Sequence, residues 1–531
     1  MTELEALARR LDELERTQVA VKEELEEAKQ QRDAYHRLYL EMMERCRKLE
    51  RGLLGPKSER VREDEAQLSL GVLAMALDER DAAEIDDLVR EEKVRAHKRR
   101  RPTGRKPIPD ELPRVEIEIV PDEVRREGLD AFEKIGEEVT EVLERRPASL
   151  VVARIVKPKF VRKDRRDDHT QVLVGSTPAL PIARGLAGPG LLADTVVRRW
   201  QDHMPTNRLE GIYAREGVEL AKSTIGGWHG QLTPLVEPLI AAMRADAFEQ
   251  PYLCTDATGV LVLAKEKCRR GHFWVLVAPR KHVLFEYTRD HTKDAVDHIL
   301  AGYEGYLVAD AHTVYDHLYG EGDVVEVNCW AHARRYFFKA LESDPERARA
   351  ALGLLKRLFK IEKTIATAPR KKREKIRAKH SAPLVERFYS WCDAEWPTLL
   401  EDTPIHDAVR YARNQRQGLT RFLDDGRLPL DNNISERALR RQAVGRKNWL
   451  FVGSDDGAQT NAAFTSLLAS CRMLDVEPWA YLRDIFCLLP TWPKHRLLEL
   501  APAYWTATVS TDEVQSKLAA DPFRALTLDR G

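Results

Sequence analysis

The sequence predicts a multidomain α/β protein, and three observations carry that expectation. Apolar residues recur on a seven-residue period from 4 to 53, as in a long helix with one apolar seam. β-Branched runs such as "VEIEIV", "SLVVARIV", "HFWVLVAP" and "HVLFEYT" read as strands. Amphipathic helical stretches lie between and after them. At 531 residues, 43% apolar and 32% charged, the chain has room for about three or four domains with cores of their own. That composition excludes disorder throughout. No uncharged apolar run reaches the roughly 18 residues that span a bilayer, and the acidic start (Thr2, Glu3, Leu4, Glu5) is unlike a signal peptide, so a cytoplasmic protein is expected.

In the first helix, Leu4, Leu11, Gln18, Leu25, Tyr39, Cys46 and Leu53 share one seam position, and Leu7, Leu14, Val21, Ala28, Tyr35, Met42 and Leu49 share the other. A coiled coil over 1–55 that makes at least a dimer is one reading; a long helix packed on its own protein is the other. Polar Gln18 and Arg32 in the seam favour a register-setting dimer helix. Gly52, Gly55 and Pro56 end it. Residues 56–110 read as a linker, acidic over 78–92 and then basic. "KVRAHKRRRPTGRKP" (93–107) holds eight Lys or Arg and no acid, with Arg99, Arg100, Arg101, Arg105 and Lys106 at its centre. It is either a solvated linker or one that also lies along DNA phosphates.

Residues 111–180 read as a small β-rich module with no chemistry of its own. Residues 181–245 read as a helix, a turn at Gly217, Ser223 as N-cap and a second helix from about 224. The pattern suits a helix-turn-helix that places Lys222, Ser223 and Thr224 in a major groove, although plain helical hairpins share it. Seven cysteines, at 46, 254, 268, 329, 392, 471 and 487, form no C-x-x-C pair, which points away from a disulfide framework or a structural zinc site. Zero net charge argues against a uniformly basic nucleic-acid binder and leaves local patches open.

From 251 the pattern is strand-like. "YLCTDATGVLVLA" puts Asp256 straight after an apolar run, two further strands follow at 272–279 and 282–288, "TKDAVDHILAGY" (292–303) is an amphipathic helix, and "GYLVAD" (305–310) is a short strand ending on Asp310. Three strands, a helix and a fourth strand form the first half of a ribonuclease H-like domain, in which the first and fourth strands are neighbours. Asp256 and Asp310, 54 positions apart, then converge. A buried carboxylate pair calls for a compensating cation, and Mg²⁺ takes a few carboxylates plus substrate phosphate. Two such ions about 3.5–4 Å apart can serve a phosphodiester displacement, which needs a third ligand.

Glu436, in "DNNISERALRR" (431–441), is the candidate. It either closes a capping box with Asn433 or turns to metal, while Arg437, Arg440, Arg441, Arg446 and Lys447 either hold DNA phosphates or form an ordinary exposed face. Trp449 is either a base-stacking platform or core. In "CWAHARR" (329–335), Cys329 and Trp330 read as core, and His332, Arg334 and Arg335 either face DNA or serve structure. Cys329 and His332 make only half a zinc-ligand spacing.

Assembled, these residues resemble the insertion-sequence-66 family of bacterial transposases over about 1–505. The carriers are the coiled-coil start running into "LLGPKSERV", then "GRKPIPDELPR", "GLLADTVVRRWQDHMPTNRLEGIYAREGVELAKSTIGGW", "TDATG", "GYLVADAHTVYD", "CWAHARRYF", "NNISERALRRQAVGRKNWLFVGSDDGA" and "YLRDIF". The resemblance implies a DDE transposase with catalytic, metal-binding Asp256, Asp310 and Glu436. It also implies Mg²⁺, for which Mn²⁺ can substitute, cleavage at terminal inverted repeats and transfer of the 3′-OH into target DNA. A helical insertion is implied between the second and third acids, which are 126 positions apart, and small accessory proteins are implied as partners. The expected organisation is a first core part at 246–344, the insertion at 345–400, a second core part at 401–485 and a tail at 486–531. The family's cysteine-rich zinc segment falls near 120–170, where this chain has no cysteine, so zinc is not expected. The rival readings are a nuclease on the same core that cuts without joining, and an inactive DNA-binding protein of the same fold. A bacterial, nucleoid-associated protein follows from the resemblance.

Overall fold

A computed structural model describes residues 112–146, 149–162, 172–176, 178–264, 267–320 and 323–528, Ile108, Asp110, and scattered positions between 18 and 42. Among those scattered positions, Gln18, Leu25, Arg32, Tyr35, Tyr39 and Met42 are helical and exposed. The rest of the heptad helix and Arg99, Arg100, Arg101, Arg105 and Lys106 lie outside the described residues. Backbone contacts divide the chain into two compact units; 93–327 with 431–531 make one, and 328–430 fall in the other.

In the larger unit the strand-rich module is a four-stranded sheet. β1 (Arg114–Glu118) pairs in parallel with β3 (Ser149–Arg162), which forms a long hairpin with β2 (Phe132–Arg146) and also takes the short β4 (Leu173–Val174). Leu143, Leu150 and Val152 point into the main core. At the end of β2, Glu144 is wholly buried and reaches the start of α1 (Pro189–Val196), where its Oε1 accepts the N–H groups of Leu191 (2.7 Å) and Arg145 (2.6 Å). Gly188 and Gly190 are needed here, because a Cβ on either would collide with this carboxyl group. Burial raises the Glu144 pKa to about 8, against the lowering effect of the N–H groups of Arg145, Leu191 and Gly190.

Glu144 therefore keeps its proton in the native state where the unfolded chain, at about 4.5, has lost it. Its contribution to stability is complete below pH 4.5 and is lost as pH rises through about 8. Glu144→Gln should flatten this stretch of the thermal midpoint against pH. An unaltered slope between pH 5 and 8 would show that Glu144 does not set it.

A π-helical turn (Val197–Gln201) follows α1, then α2 (Thr206–Arg215), a turn at Gly217 with φ +88°, and the 27-residue α3 (Lys222–Phe248). Asp194 ties the first two helices, accepting from Tyr213 Oη (2.6 Å) and Arg198 Nε (2.7 Å). α3 starts two residues earlier than expected: Ala221 is its N-cap and Ser223 lies inside the first turn. Pro234 and Pro238 sit within it. Ile225, Trp228, Leu232, Val236, Leu239 and Met243, buried at helical spacing, offset the roughly 3 kcal/mol that an interior proline costs.

The second sheet has the order β7-β6-β5-β8-β9, with β5 (Tyr252–Leu263), β6 (Cys268–Ala278), β7 (His282–Thr288), β8 (Gly305–Ala309) and β9 (Val324–Asn328). The first three are antiparallel, α4 (Lys293–Leu300) crosses over, and β8 returns parallel to β5. The first and fourth strands are thus neighbours.

The smaller unit contains α5 (Trp330–Ala340), α6 (Pro345–Thr364), α7 (Ala382–Glu395) and α8 (Pro404–Asn414). Trp330 is its centre: the indole packs on Phe388, Tyr389 and Phe422 and donates to the Leu419 carbonyl at 2.7 Å. Cys329 is fully buried beside it in sequence.

The chain then re-enters the larger unit with α9 (Asn433–Trp449), α10 (Asp455–Met473) and α11 (Pro478–Leu488). Edge strand β7 is covered by α10. Ser466 Oγ accepts from Phe285 N (2.7 Å) and Ser470 Oγ from Val283 N (2.9 Å). Four helical residues rise about 6 Å, close to two strand residues at about 6.6 Å, so serines one turn apart match alternate strand amides. One core cluster runs from the hairpin through α1–α3 and the acid-bearing sheet to α10 and α11. No helix among the described residues is long and apolar enough to cross a membrane.

Candidate active site

Asp256 lies inside β5, which continues past it to Leu263, and Asp310 follows the last residue of β8. The parallel register matches Tyr252 with Tyr306, Leu253 with Leu307 and Cys254 with Val308. Two residues beyond the last pair on each strand stand Asp256 and Asp310. They are level on adjacent strands, which run about 4.8 Å apart, and period-2 alternation puts both on one face. Both are half-buried. Asp256 Oδ1 accepts the Ala257 N–H at 2.7 Å. Behind them Tyr315 is fully buried, and its hydroxyl pKa is raised first by burial and further by the charges of Asp310 and Asp256. Ala311, with φ +55°, turns the chain sharply after Asp310.

Three imidazoles cluster together, and the charge of Asp310 acts on one of them, His291. His291 stacks on Trp274 (4.6 Å, 6°) and meets His312 edge-on at 4.8 Å and His272 at 5.0 Å. Burial lowers the pKa of His272 to about 4 and lowers that of His291, against which the charge of Asp310 acts. Both shifts favour the uncharged ring. The motif reading missed all three: 272 and 291 carry no spacing signal, while His312, two positions after Asp310, carries a weak one.

Glu436 lies in the first turn of α9. Asn432, rather than Asn433, is the N-cap, and its side chain makes no capping bond. It crosses instead to β5, where Nδ2 donates to the Thr255 carbonyl at 2.7 Å, while Oδ1 accepts from Ser435 Oγ at 2.8 Å. The Asn433 N–H goes to Asp431 Oδ1 at 3.1 Å. In place of the capping-box alternative, a tie runs from the helix entrance to the residue just before Asp256. Glu436 stands one turn further along, half-buried, with Oε1 buried. Farther down the helix, Gln442 Nε2 donates to Asn461 Oδ1 of α10 at 2.7 Å.

The structure thus brings the two aspartates level and anchors the helix of the third acid to the same strand. Among the described residues, no group of three or more His, Cys, Asp or Glu side chains is arranged to hold a metal ion. The donors fit a hard divalent cation in kind, since all three are carboxylates and such an ion completes its shell with water and substrate phosphate. In arrangement, the aspartate pair fits and the closed trio is not formed.

The expected DNA contacts separate. On α9, Arg437, Arg440 and Lys447 are exposed. Arg441 is held by Gln201 Oε1 at 2.6 Å, and Arg446 donates to the Gly259 carbonyl. Trp449 is half-buried, its indole against Gly445 and under the guanidinium of Arg199 at 5.7 Å. Lys222, Ser223 and Thr224 are exposed at the start of α3. In the smaller unit His332, Arg334 and Arg335 are half-buried on α5, and burial lowers the Arg334 pKa.

Residues 184–460, more than half of the chain, match the profile of the Transposase IS66 family. The chain belongs to this family. Residues 466–503 match the IS66 C-terminal element, and residues 41–117 match the profile described as Transposase C of IS166 homeodomain. Among curated relatives, the uncharacterized protein y4hP of Sinorhizobium fredii is 31% identical over 487 residues, covering 86% of this chain and 87% of the relative. A second uncharacterized protein of that organism, y4qI, is 29% identical over 425 residues, covering 76% and 78%. Membership of the IS66 family implies that the partner is DNA and the activity a transposase's.

Proposed function

We propose that the protein is a DDE transposase that cleaves DNA at the ends of its element and joins the 3′-OH to target DNA. The observation that carries the reading is the level pair Asp256 and Asp310 on adjacent parallel strands, with the entrance of the Glu436 helix tied to Thr255. Strand order β7-β6-β5-β8-β9, with the crossover helix after the third strand, supports a ribonuclease H-like core. Asp256 and Asp310 would hold Mg²⁺, or Mn²⁺ in its place, with Glu436 joining them when substrate phosphate is present. Bound there, the cation would supply the positive charge that a phosphodiester displacement needs. Arg437, Arg440 and Lys447 would fix the DNA backbone along α9, and the exposed start of α3 would enter a groove. His272 and His291 with Trp274 would wall the acids on one side.

Self-association through the seam at 4–53, small accessory proteins as partners, terminal inverted repeats as the DNA ends and a cytoplasmic, nucleoid-associated location belong to the same reading. A strand-transfer assay tests it, using duplexes cut from the DNA flanking the gene and a divalent ion. Joined product is expected; cleavage with no joined product under any divalent ion would make the protein a nuclease. The basic linker has its own expectation. Replacing Arg99, Arg100 and Arg101 together should weaken binding to all sequences alike and reduce the slope of log K against log salt by up to about three. A loss confined to one end sequence would contradict it.

A further inference from the structure

Helix α9 ends in an unusual device. Leu450 has φ +60° and ψ −53°, and the Phe451 N–H donates back across it to the Trp449 carbonyl at 2.7 Å. This is a γ-turn of the rare, strained form, centred on a residue with a branched side chain. The strain holds an apolar side chain outward: Leu450 is 61% exposed and Phe451 42%. The turn is also rigidly mounted. On one side the Leu450 N–H donates to the Arg446 carbonyl at 2.8 Å, and the Trp449 indole packs against Gly445 and under Arg199. On the other, Val452 bridges to Val262 of β5, giving and receiving backbone bonds with Leu261 and Leu263 at 2.8 Å.

The surroundings indicate what meets the tip. Arg437, Arg440, Val444 and Lys447, spaced by three, four and three, form one exposed stripe of α9 that contains no acid and leads to Leu450. A cationic ridge ending in an apolar point complements a polyanion with an apolar interior, which is the description of stacked DNA.

We propose that the γ-turn at Trp449–Phe451 is a wedge that inserts Leu450 between DNA bases while Arg437, Arg440 and Lys447 hold the flanking phosphates. The inference rests on the transposase reading and adds a position. Along β5, Asp256 and Val262 are six residues apart, roughly 20 Å at about 3.3 Å per residue, which is roughly six base pairs at about 3.4 Å each. The unstacked step therefore lies about six base pairs from the phosphate at the acid pair.

The test uses the full chain without divalent ion, so that no cleavage intervenes, and duplexes of the gene's own flanking repeat with 2-aminopurine walked along the end. Binding should raise its fluorescence several-fold near the sixth base pair. Leu450→Ala should abolish the rise, and Leu450→Phe should keep it. Leu450→Gly removes the side chain while accepting the positive φ, so it should lose the signal with a thermal midpoint no lower than that of the natural protein. A flat profile with DNA bound, a maximum only next to the cut, or a signal that survives Leu450→Gly would overturn the wedge and leave the transposase reading standing. Loss of self-association in Leu450→Ala, with unstacking unchanged, would make the patch a protein contact and also overturn it. Absence of any binding to the duplex would remove both readings together.

Discussion

Replacing either Asp256 or Asp310 by Asn should abolish cleavage and joining by at least about 10³-fold while leaving DNA binding and folding intact. The pair is level and half-buried, so an amide fits in place of each carboxylate, but it is a poor ligand for a hard cation. On the proposed reading both acids serve one site, so the double variant should be no worse than either single one. Glu436→Gln is the sharper case. The tie between Asn432 and Thr255 does not use the Glu436 side chain, so the helix entrance should hold in the variant. A folded, DNA-binding and inactive Glu436→Gln would place the third carboxylate at the metal once phosphate is bound. Unchanged strand transfer would return Glu436 to a structural role and leave the reaction to the aspartates. Rates with a labelled end duplex, read beside binding of the same duplex without metal, separate these outcomes.

Much of this pair was legible in the sequence. The runs around 253–263, 272–278 and 282–288 are apolar and β-branched, the stretch from Lys293 has helical periodicity, and each is bounded by turn residues, so the order of strands and helix could be read directly. That order places β8 beside β5, and the alignment of Asp256 with Asp310 follows from backbone register alone. What escaped the reading depends on partners far apart in the chain. Nothing near Ser466 or Ser470 announces that they cover the amides of Phe285 and Val283, and nothing near Asn432 announces Thr255. The "DNNISER" stretch does contain the local pattern of a capping box. The N-cap instead falls one residue earlier, on Asn432, whose buried amide supplies the donor that the buried Thr255 carbonyl needs. The five cations of α9 likewise look equivalent in sequence, yet Arg441 is held by Gln201 and Arg446 by the Gly259 carbonyl, partners far away in the chain, while the other three are exposed.

In the smaller unit the largest effect on stability should come from Arg377, which opens a π-helical turn (Arg377–Ser381) and is completely buried. Its five N–H donors meet five acceptors. Nε and Nη2 bond Glu362 Oε1 and Oε2 at 2.8 and 2.7 Å, Nη1 bonds the carbonyls of Phe422 and Asp425 at 2.6 and 3.0 Å, and Nη2 bonds that of Leu428 at 2.8 Å. One side chain thereby fastens α6 to the 422–428 loop while satisfying three backbone carbonyls. Arg377→Met should cost about 3–5 kcal/mol, because it leaves the Glu362 carboxylate, one-tenth exposed, with only the longer contact to Arg373 at 3.4 Å and takes a donor from each of three carbonyls. Arg377→Lys should be nearly as damaging: an ammonium keeps the charge but has three donors around one point and cannot span a fork. Pairing Arg377→Met with Glu362→Met should recover part of the loss, since the stranded charge goes with its partner. Urea unfolding of the full chain measures each, and hydrogen exchange at 422–428 locates the effect. A midpoint for Arg377→Met within the error of the natural protein would mean that the loop is held by its apolar contacts around Phe422, and the guanidinium merely fills the space beside them.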